Sequence, residues 1–117
     1  MPYKLSRCLC LCTPEHARAV EFYEKVLGLR ITSRTPDSVE FDASPFRVFV
    51  DQSSAHGAAA LGMVFEIIVP NLETARTELI EAGCQEVRWL GKGKDCYMRD
   101  PFGAIFNVWE EPEAFEK

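Results

Sequence analysis

Asn107, Trp109, Glu66, Arg47 and Phe49 are the residues of this 117-residue chain whose types combine into a recognition chemistry. An amide such as Asn107 both donates and accepts, Glu66 accepts from an amine, and Arg47 pairs with an anionic substituent through its forked guanidinium. Trp109 and Phe49 offer flat apolar rings on which a planar molecule can stack. Cys8, Cys10 and Cys12 add three thiols at alternate positions. An unpaired cysteine fills space as a small hydrophobe and becomes a nucleophile or ligand only as a thiolate, for which Arg47 is the candidate neighbouring cation. Apolar and aromatic walls with a few placed polar groups are what a small-molecule pocket needs.

These residues can act together only if strands hold them on one face, and the alternation of the sequence supports that. Leu9 and Leu11 alternate with the thiols of residues 8–12. In residues 46–51, Phe46, Val48 and Val50 form an apolar face opposite Arg47, Phe49 and Asp51. In residues 63–69, Phe65, Ile67 and Val69 stand opposite Val64, Glu66 and Ile68, and in residues 104–109, Phe106 and Val108 stand opposite Ile105, Asn107 and Trp109. A period of two assigns each apolar set to a helix-covered face and each mixed set to the other. Plain structural roles compete at every position: packing for the cysteines and Trp109, a bond to a neighbouring strand for Asn107, an exposed edge for Glu66. His16, on the first turn of a helix, and His56, in a linker, read as solvated, as does the acidic end Glu110-Glu111-Pro112-Glu113.

Helices follow the first strand of each half. Thr13 is a candidate N-cap with Pro14 in the first helical position, and Ala19, Val20, Tyr23, Val26 and Leu27 form a stripe that stops at Gly28. Asn71 caps a second helix with the stripe Leu72, Ala75, Leu79 and Ala82, ended by Gly83. Three short strands follow each helix: 29–34, 38–42 and 46–51, then 87–90, 96–99 and 104–109. Each half therefore reads βαβββ, an α+β pattern, with module one over about 3–51, a Ser-, Gly- and Ala-rich linker over about 52–62 and module two over about 63–110. Gly28 and Gly83 lie 55 positions apart, Pro45 and Pro101 56, and Thr13 and Asn71 58, so one repeat accounts for all three. Each copy is too small to bury its own apolar face, and the pair is expected to form one domain. The last two strands are joined by Asp100-Pro101-Phe102-Gly103, which supplies a side-chain acceptor, a preset φ and a residue tolerant of positive φ for a tight reversal.

Composition bounds the rest. A hydrophobic fraction of 47% over this length is enough for a real core. The net charge of −5 is dispersed, without the basic stripe of a nucleic-acid binder. No apolar run approaches the roughly 20 residues that span a bilayer, and Met1-Pro2-Tyr3-Lys4 lacks the apolar region of a secretion signal, so a cytoplasmic protein is expected. Five cysteines, an odd number without a CxxC pair, fit a reducing compartment rather than a disulfide framework.

Phe22-Tyr23-Glu24-Lys25-Val26-Leu27-Gly28-Leu29, followed by Arg99-Asp100-Pro101-Phe102-Gly103 on a duplicated βαβββ pattern, resembles the vicinal oxygen chelate superfamily. Glyoxalase I, bleomycin-resistance proteins, fosfomycin-resistance transferases and extradiol dioxygenases belong to it. The resemblance covers nearly the whole chain and implies two four-stranded mixed sheets curled around a shared cleft with the helices outside, and commonly a homodimer. It also implies metal ligands on the first and last strands of each module. Those positions fall here on Cys8, Val64 and Asn107, with the fourth near Phe49. Val and Phe carry no donor and a neutral amide is a weak one, so no cofactor or tightly held divalent metal is expected. The function implied is metal-independent binding of a hydrophobic or aromatic small molecule, as in the bleomycin-resistance type, lined by Cys8, Cys10, Arg47, Phe49, Val64, Glu66, Asn107 and Trp109. One alternative is a metal-dependent lyase, isomerase or dioxygenase with ligands displaced to Cys10, Asp51 and Glu66. Another is a purely structural or partner-binding module.

Overall fold

The alternation of leucine and thiol produces the long first strand, β1 (Lys4–Thr13), in a computed structural model that describes residues 3–53 and 62–116. After β1 come α1 (His16–Glu21), a π-helical continuation (Phe22–Val26), β2 (Arg30–Arg34), β3 (Ser38–Ala43) and β4 (Phe46–Gln52). The second half repeats the series as β5 (Gly62–Val69), α2 (Leu72–Glu81), β6 (Gln85–Trp89), β7 (Cys96–Arg99) and β8 (Ile105–Glu110), ending in a 3-10 turn at Pro112–Phe115. The described residues thus form an α+β chain of two βαβββ series. They divide into one compact unit on Arg7–Val64 and another on Phe65–Lys117 with Met1–Ser6. The predicted linker falls largely on residues 54–61, outside the described residues, as does His56.

In the first unit the strands run in the order β2-β3-β4-β1, antiparallel except for the parallel pair β1 and β4. Parallel neighbours need a long crossover, and α1 is part of it. The helix covers the face the alternation assigned to it: Val39, Phe41, Val48 and Val50 are buried, with Leu9, Ala19, Val20, Tyr23, Leu29 and Ile31 packed around them. Tyr23 meets Phe41 with ring centroids 6.0 Å apart. Burial of each such aliphatic or aromatic side chain is worth about 1.5–3 kcal/mol.

The helix starts later than expected. Thr13 remains in β1, paired with Gln52, so its hydroxyl accepts from the Glu15 N–H and the first helical residue is His16. His16 is half-buried rather than solvated, with Nε2 2.9 Å from the Val50 carbonyl oxygen, because α1 lies along the sheet.

The second unit has the order β5-β8-β7-β6, with β5 and β8 parallel. Leu72 and Ala75 of α2 are buried with Val69, Cys96, Met98, Phe106 and Val108, while Phe65, Ile67, Leu79 and Trp89 pack at the margin. Asn71 caps α2 as expected, accepting from the Thr74 N–H at 2.8 Å. Gly83 ends the helix at φ +105°, and a Cβ there would meet Pro101 Cγ at 3.3 Å, so both backbone conformation and space favour glycine. Strand β6 begins at Gln85, earlier than read, and carries an irregularity between Glu86 and Arg88 that blurs its alternation. In the reversal before β8, Asp100 Oδ1 accepts from the N–H groups of Phe102 and Ala104, both at 2.9 Å, and Gly103 adopts φ +99°.

The acidic end is not a loose tail. Glu111 donates its N–H to the Val69 carbonyl at 2.9 Å, and Lys4 bonds the Ala114 carbonyl with its ammonium 5.1 Å from the Phe115 ring centroid. Tyr3 donates to Glu78 on α2; burial first, then that bond, pushes its phenol up to about 12, so it stays a donor at ordinary pH. Glu110 binds the start of α2, accepting from the Leu72 N–H at 2.9 Å and pairing with Lys92 at 2.9 Å. No helix among the described residues is long and apolar enough to cross a membrane.

Two stability outcomes follow. Replacing Asn71 by Ala removes the α2 cap and should cost about 1 kcal/mol in a urea melt. The Glu110 carboxyl is held below the usual range, first by the Leu72 N–H and then by Lys92. A depressed folded-state value gives stability that is present above the unfolded value and lost as pH falls through the folded one. Glu110→Gln should therefore lower Tm at neutral pH, and the gap from the parent should close in acid below the usual carboxylate range. A gap of constant size at every pH would show that the charge of Glu110 is not what binds it there.

Candidate functional site

Register decides which side chains meet on the face of each sheet away from its helix. In the first unit the ladders pair Cys8 with Arg47, Cys10 with Phe49 and Cys12 with Asp51, and then Arg47 with Asp42, Phe49 with Glu40 and Asp51 with Ser38. Nine side chains from three strands thus share one face. Within it, Arg47 donates from Nε to Glu40 Oε2 at 2.7 Å, lays its guanidinium 5.2 Å from the Phe49 ring centroid and approaches Cys8 Sγ with Nη1 at 3.9 Å. Sequence reasoning reserved Arg47 for an anionic ligand; in the fold Glu40 already engages it. Glu40 went unnoticed, although Ser38, Glu40 and Asp42 alternate with the apolar Val39 and Phe41 and could have been read as a polar face.

Deeper on the same face, Cys10 Sγ and Cys12 Sγ lie 3.7 Å apart, with Cys12 buried. Asp51 is also buried and accepts from the Ser38 hydroxyl. The contact with Cys12, burial and the Asp51 carboxylate together push the Cys10 thiol far up, so it is protonated at neutral pH and is no thiolate nucleophile.

In the second unit Glu66 pairs with Asn107, Ile68 with Trp109, and Tyr97 with Asn107 from the other side. The Asn107 amide is oriented at both ends. Its Oδ1 accepts from the Cys96 N–H at 2.9 Å, and its Nδ2 donates to Glu66 Oε2 at 3.0 Å. Only this orientation of the amide satisfies both partners, which defines which end is oxygen. The sequence reading of Asn107 as a bond to a neighbouring strand and its reading as a polar site residue are therefore both met, by its two ends. Glu66 has a second oxygen that receives no hydrogen bond among the described residues. Tyr97, buried beside Asn107, was not foreseen, since a four-residue strand gives little alternation to read.

The two faces are equivalent by register. Phe49 stands opposite Cys10 as Asn107 stands opposite Glu66, and Cys10 and Glu66 are separated by the same 56 positions as Cys8 and Val64. The positions at which the resemblance expects metal ligands, Cys8, Val64 and Asn107 with the fourth near Phe49, carry side chains that do not fit a divalent cation. Phe49 and buried Val64 have no donor, and the Asn107 oxygen is already taken by a backbone N–H. Among the described residues no group of three or more His, Cys, Asp or Glu side chains could hold a metal ion. A groove of about 540 Å³ on the first unit, lined by His16, Ala17, Val20, Arg34, Thr35, Pro36 and Val39, contains none of the eight residues expected to line a ligand site.

Residues 8–109 match the glyoxalase-like domain family, whereas no curated protein matches the chain. Solved structures share the fold at low identity. A chain from Legionella pneumophila described as an NAD-dependent benzaldehyde dehydrogenase is 14% identical with a TM-score of 0.70, over 88% of this chain and 96% of that one. A glyoxalase/bleomycin resistance protein/dioxygenase superfamily member from Vibrio splendidus is 15% identical with a TM-score of 0.64, over 94% and 100%. Methylmalonyl-CoA epimerase from Mycobacterium tuberculosis is 12% identical with a TM-score of 0.58, over 95% and 90%. Identities this low speak for the fold alone, and the bearers of that fold differ in what they do. With the duplicated βαβββ series, the Asp-Pro-Phe-Gly reversal and a match over residues 8–109, the chain belongs to the glyoxalase-like domain family of the vicinal oxygen chelate superfamily.

Proposed function

We propose that this chain is a metal-independent binding protein for a small hydrophobic or aromatic molecule, acting as a homodimer in the manner of the bleomycin-resistance type. The observation that carries the reading is the Glu66–Asn107 pair: a carboxylate held by an oriented amide, with one oxygen left to accept, beside the Trp109 ring. A flat ligand bearing an N–H donor matches that surface, since the ring supplies stacking and the carboxylate a charge-assisted hydrogen bond. The first module carries a surface of its own, where Phe49 and the half-buried Cys8 and Cys10 are apolar and Arg47, already paired with Glu40, presents its guanidinium over Phe49. Val64, where the resemblance expects a metal ligand, is buried and carries no donor. The absence of donors at Phe49 and Val64 supports binding over divalent-metal chemistry.

Ligand-detected NMR with a panel of planar aromatic amines and their neutral analogues tests the reading. Amines should bind better than isosteric neutral rings. Trp109→Ala should weaken the best hit about fivefold, the equivalent of the roughly 1 kcal/mol of an aromatic contact. Glu66→Ala should remove the preference for amines while leaving the neutral analogues bound. A silent panel, or hits indifferent to both substitutions, would sink the proposal. Metal analysis of protein purified without chelator should find no stoichiometric Ni²⁺, Zn²⁺, Fe²⁺ or Mn²⁺; finding one that is lost in Glu66→Ala would favour an enzyme instead. Light scattering should return twice the chain mass.

A further inference from the structure

Arg34 lines the groove of about 540 Å³ that α1 forms with the β2–β3 turn on the helix side of the first sheet. That side is opposite the thiols and Arg47, because Val39, which also lines the groove, belongs to the core beneath α1. Its floor is apolar: Val39 is buried and Val20 half-buried, with Ala17 and Pro36 exposed beside them. The other polar groups of the lining are already engaged. His16 is fixed with Nε2 2.9 Å from the Val50 carbonyl oxygen. The Thr35 hydroxyl accepts from the Ser38 N–H at 3.1 Å and lies 3.4 Å from the Ser38 carbonyl oxygen, so it serves the turn. Arg18, Arg30 and Arg47 of the same unit each meet a carboxylate, whereas Arg34 has no such partner among the described residues. One uncommitted guanidinium thus stands beside an apolar floor.

The turn that carries Arg34 is built in advance of any ligand. The Thr35 N–H donates to the Ser38 carbonyl and the Gln52 N–H to the Asp37 carbonyl, both at 2.8 Å, which ties the turn to β4. A wall fixed beforehand lowers the ordering cost of binding. The volume falls within the roughly 300–1,000 Å³ of small-molecule sites. The charge then selects the headgroup. A planar guanidinium forks onto the two oxygens of a carboxylate, whereas a phosphate dianion brings a further oxygen and a second charge that no other guanidinium or ammonium of the lining answers.

We propose that this groove binds a small monocarboxylic acid with a hydrocarbon tail, Arg34 holding the carboxylate while Val20, Pro36 and Val39 cover the tail. The site is independent of the amine-preferring surface at Glu66, where an anion would meet a like charge.

Titration of the full chain with hexanoate, followed by amide shifts in two-dimensional ¹⁵N NMR, tests the site. Saturable shifts should appear at Ala17, Val20 and Val39. From propionate to hexanoate each methylene should tighten binding by about two- to fourfold, as burial of hydrocarbon requires. Hexanol, with the tail but no charge, should bind at least about tenfold more weakly than hexanoate, and Arg34→Gln should abolish that difference. Ala17→Glu changes an exposed helical position and places a carboxylate at the groove, so it should remove hexanoate binding while the fold is kept. Arg30→Gln, whose parent side chain pairs with Asp42 outside the groove, and Trp109→Ala should leave binding unchanged. No saturable shift at millimolar hexanoate, shifts centred on Glu66 and Trp109 instead, hexanol bound as tightly as hexanoate, inorganic phosphate bound more tightly than hexanoate, or a folded Arg34→Gln that keeps the preference for the acid would each overturn the proposal.

Discussion

Parallel pairing of the first and last strands within each βαβββ series is the constraint on which the rest of this structure depends. Parallel neighbours cannot be joined by a tight turn, so the chain must leave the sheet, cross it as a helix and return through two antiparallel strands. That excursion lays α1 over Val39, Phe41, Val48 and Val50, and α2 over Val69, Phe106 and Val108. One face of each sheet is then committed to packing. The side chains of alternate residues are turned to the other face. The register of the same two pairings puts Phe49 opposite Cys10 and Asn107 opposite Glu66. A slip of one residue would exchange the faces and bury Glu66 beneath α2.

The second series shows how polar groups on such a face are made tolerable. A carboxylate among apolar neighbours is costly unless bonded, and Asn107 supplies the bond while spending its own oxygen on the Cys96 N–H, the first residue of β7. The Asn107 amide therefore does structural and polar work together: it ties β8 to β7 and orients Glu66. The first series solves the same problem with ions, through Arg47 and Glu40, and with a hydroxyl, from Ser38 to Asp51. Duplication preserved the backbone ladder but not the side chains on it, which accounts for one face rich in thiols and another organised around an amide and a carboxylate.

Most of the architecture was legible because it rests on short-range signals. Alternation gave the strand faces, Asn71 and Gly83 bounded α2, and Asp100-Pro101-Phe102-Gly103 defined the reversal before β8. The misreadings have one physical origin, tertiary pairing overriding local preference. Thr13 has the chemistry of a cap, but its backbone is held in β1 by β4, so α1 starts at His16. His16 looks exposed on a first turn, yet the sheet beneath supplies a carbonyl. The acidic end reads as solvated, yet Lys4 and Val69, far away in sequence, hold it.

The sequence by itself determined the α+β class, the duplication and the apolar face of each strand, because each depends on residue type and on spacings of two, of three to four, or of one repeat. Only the tertiary structure decided which polar groups satisfy one another: that Arg47 belongs to Glu40, that Cys10 meets Cys12, and that Asn107 points one end at Glu66 and the other at a backbone N–H. Those outcomes depend on strand register and side-chain rotation, to which distant residues contribute and which no local pattern records.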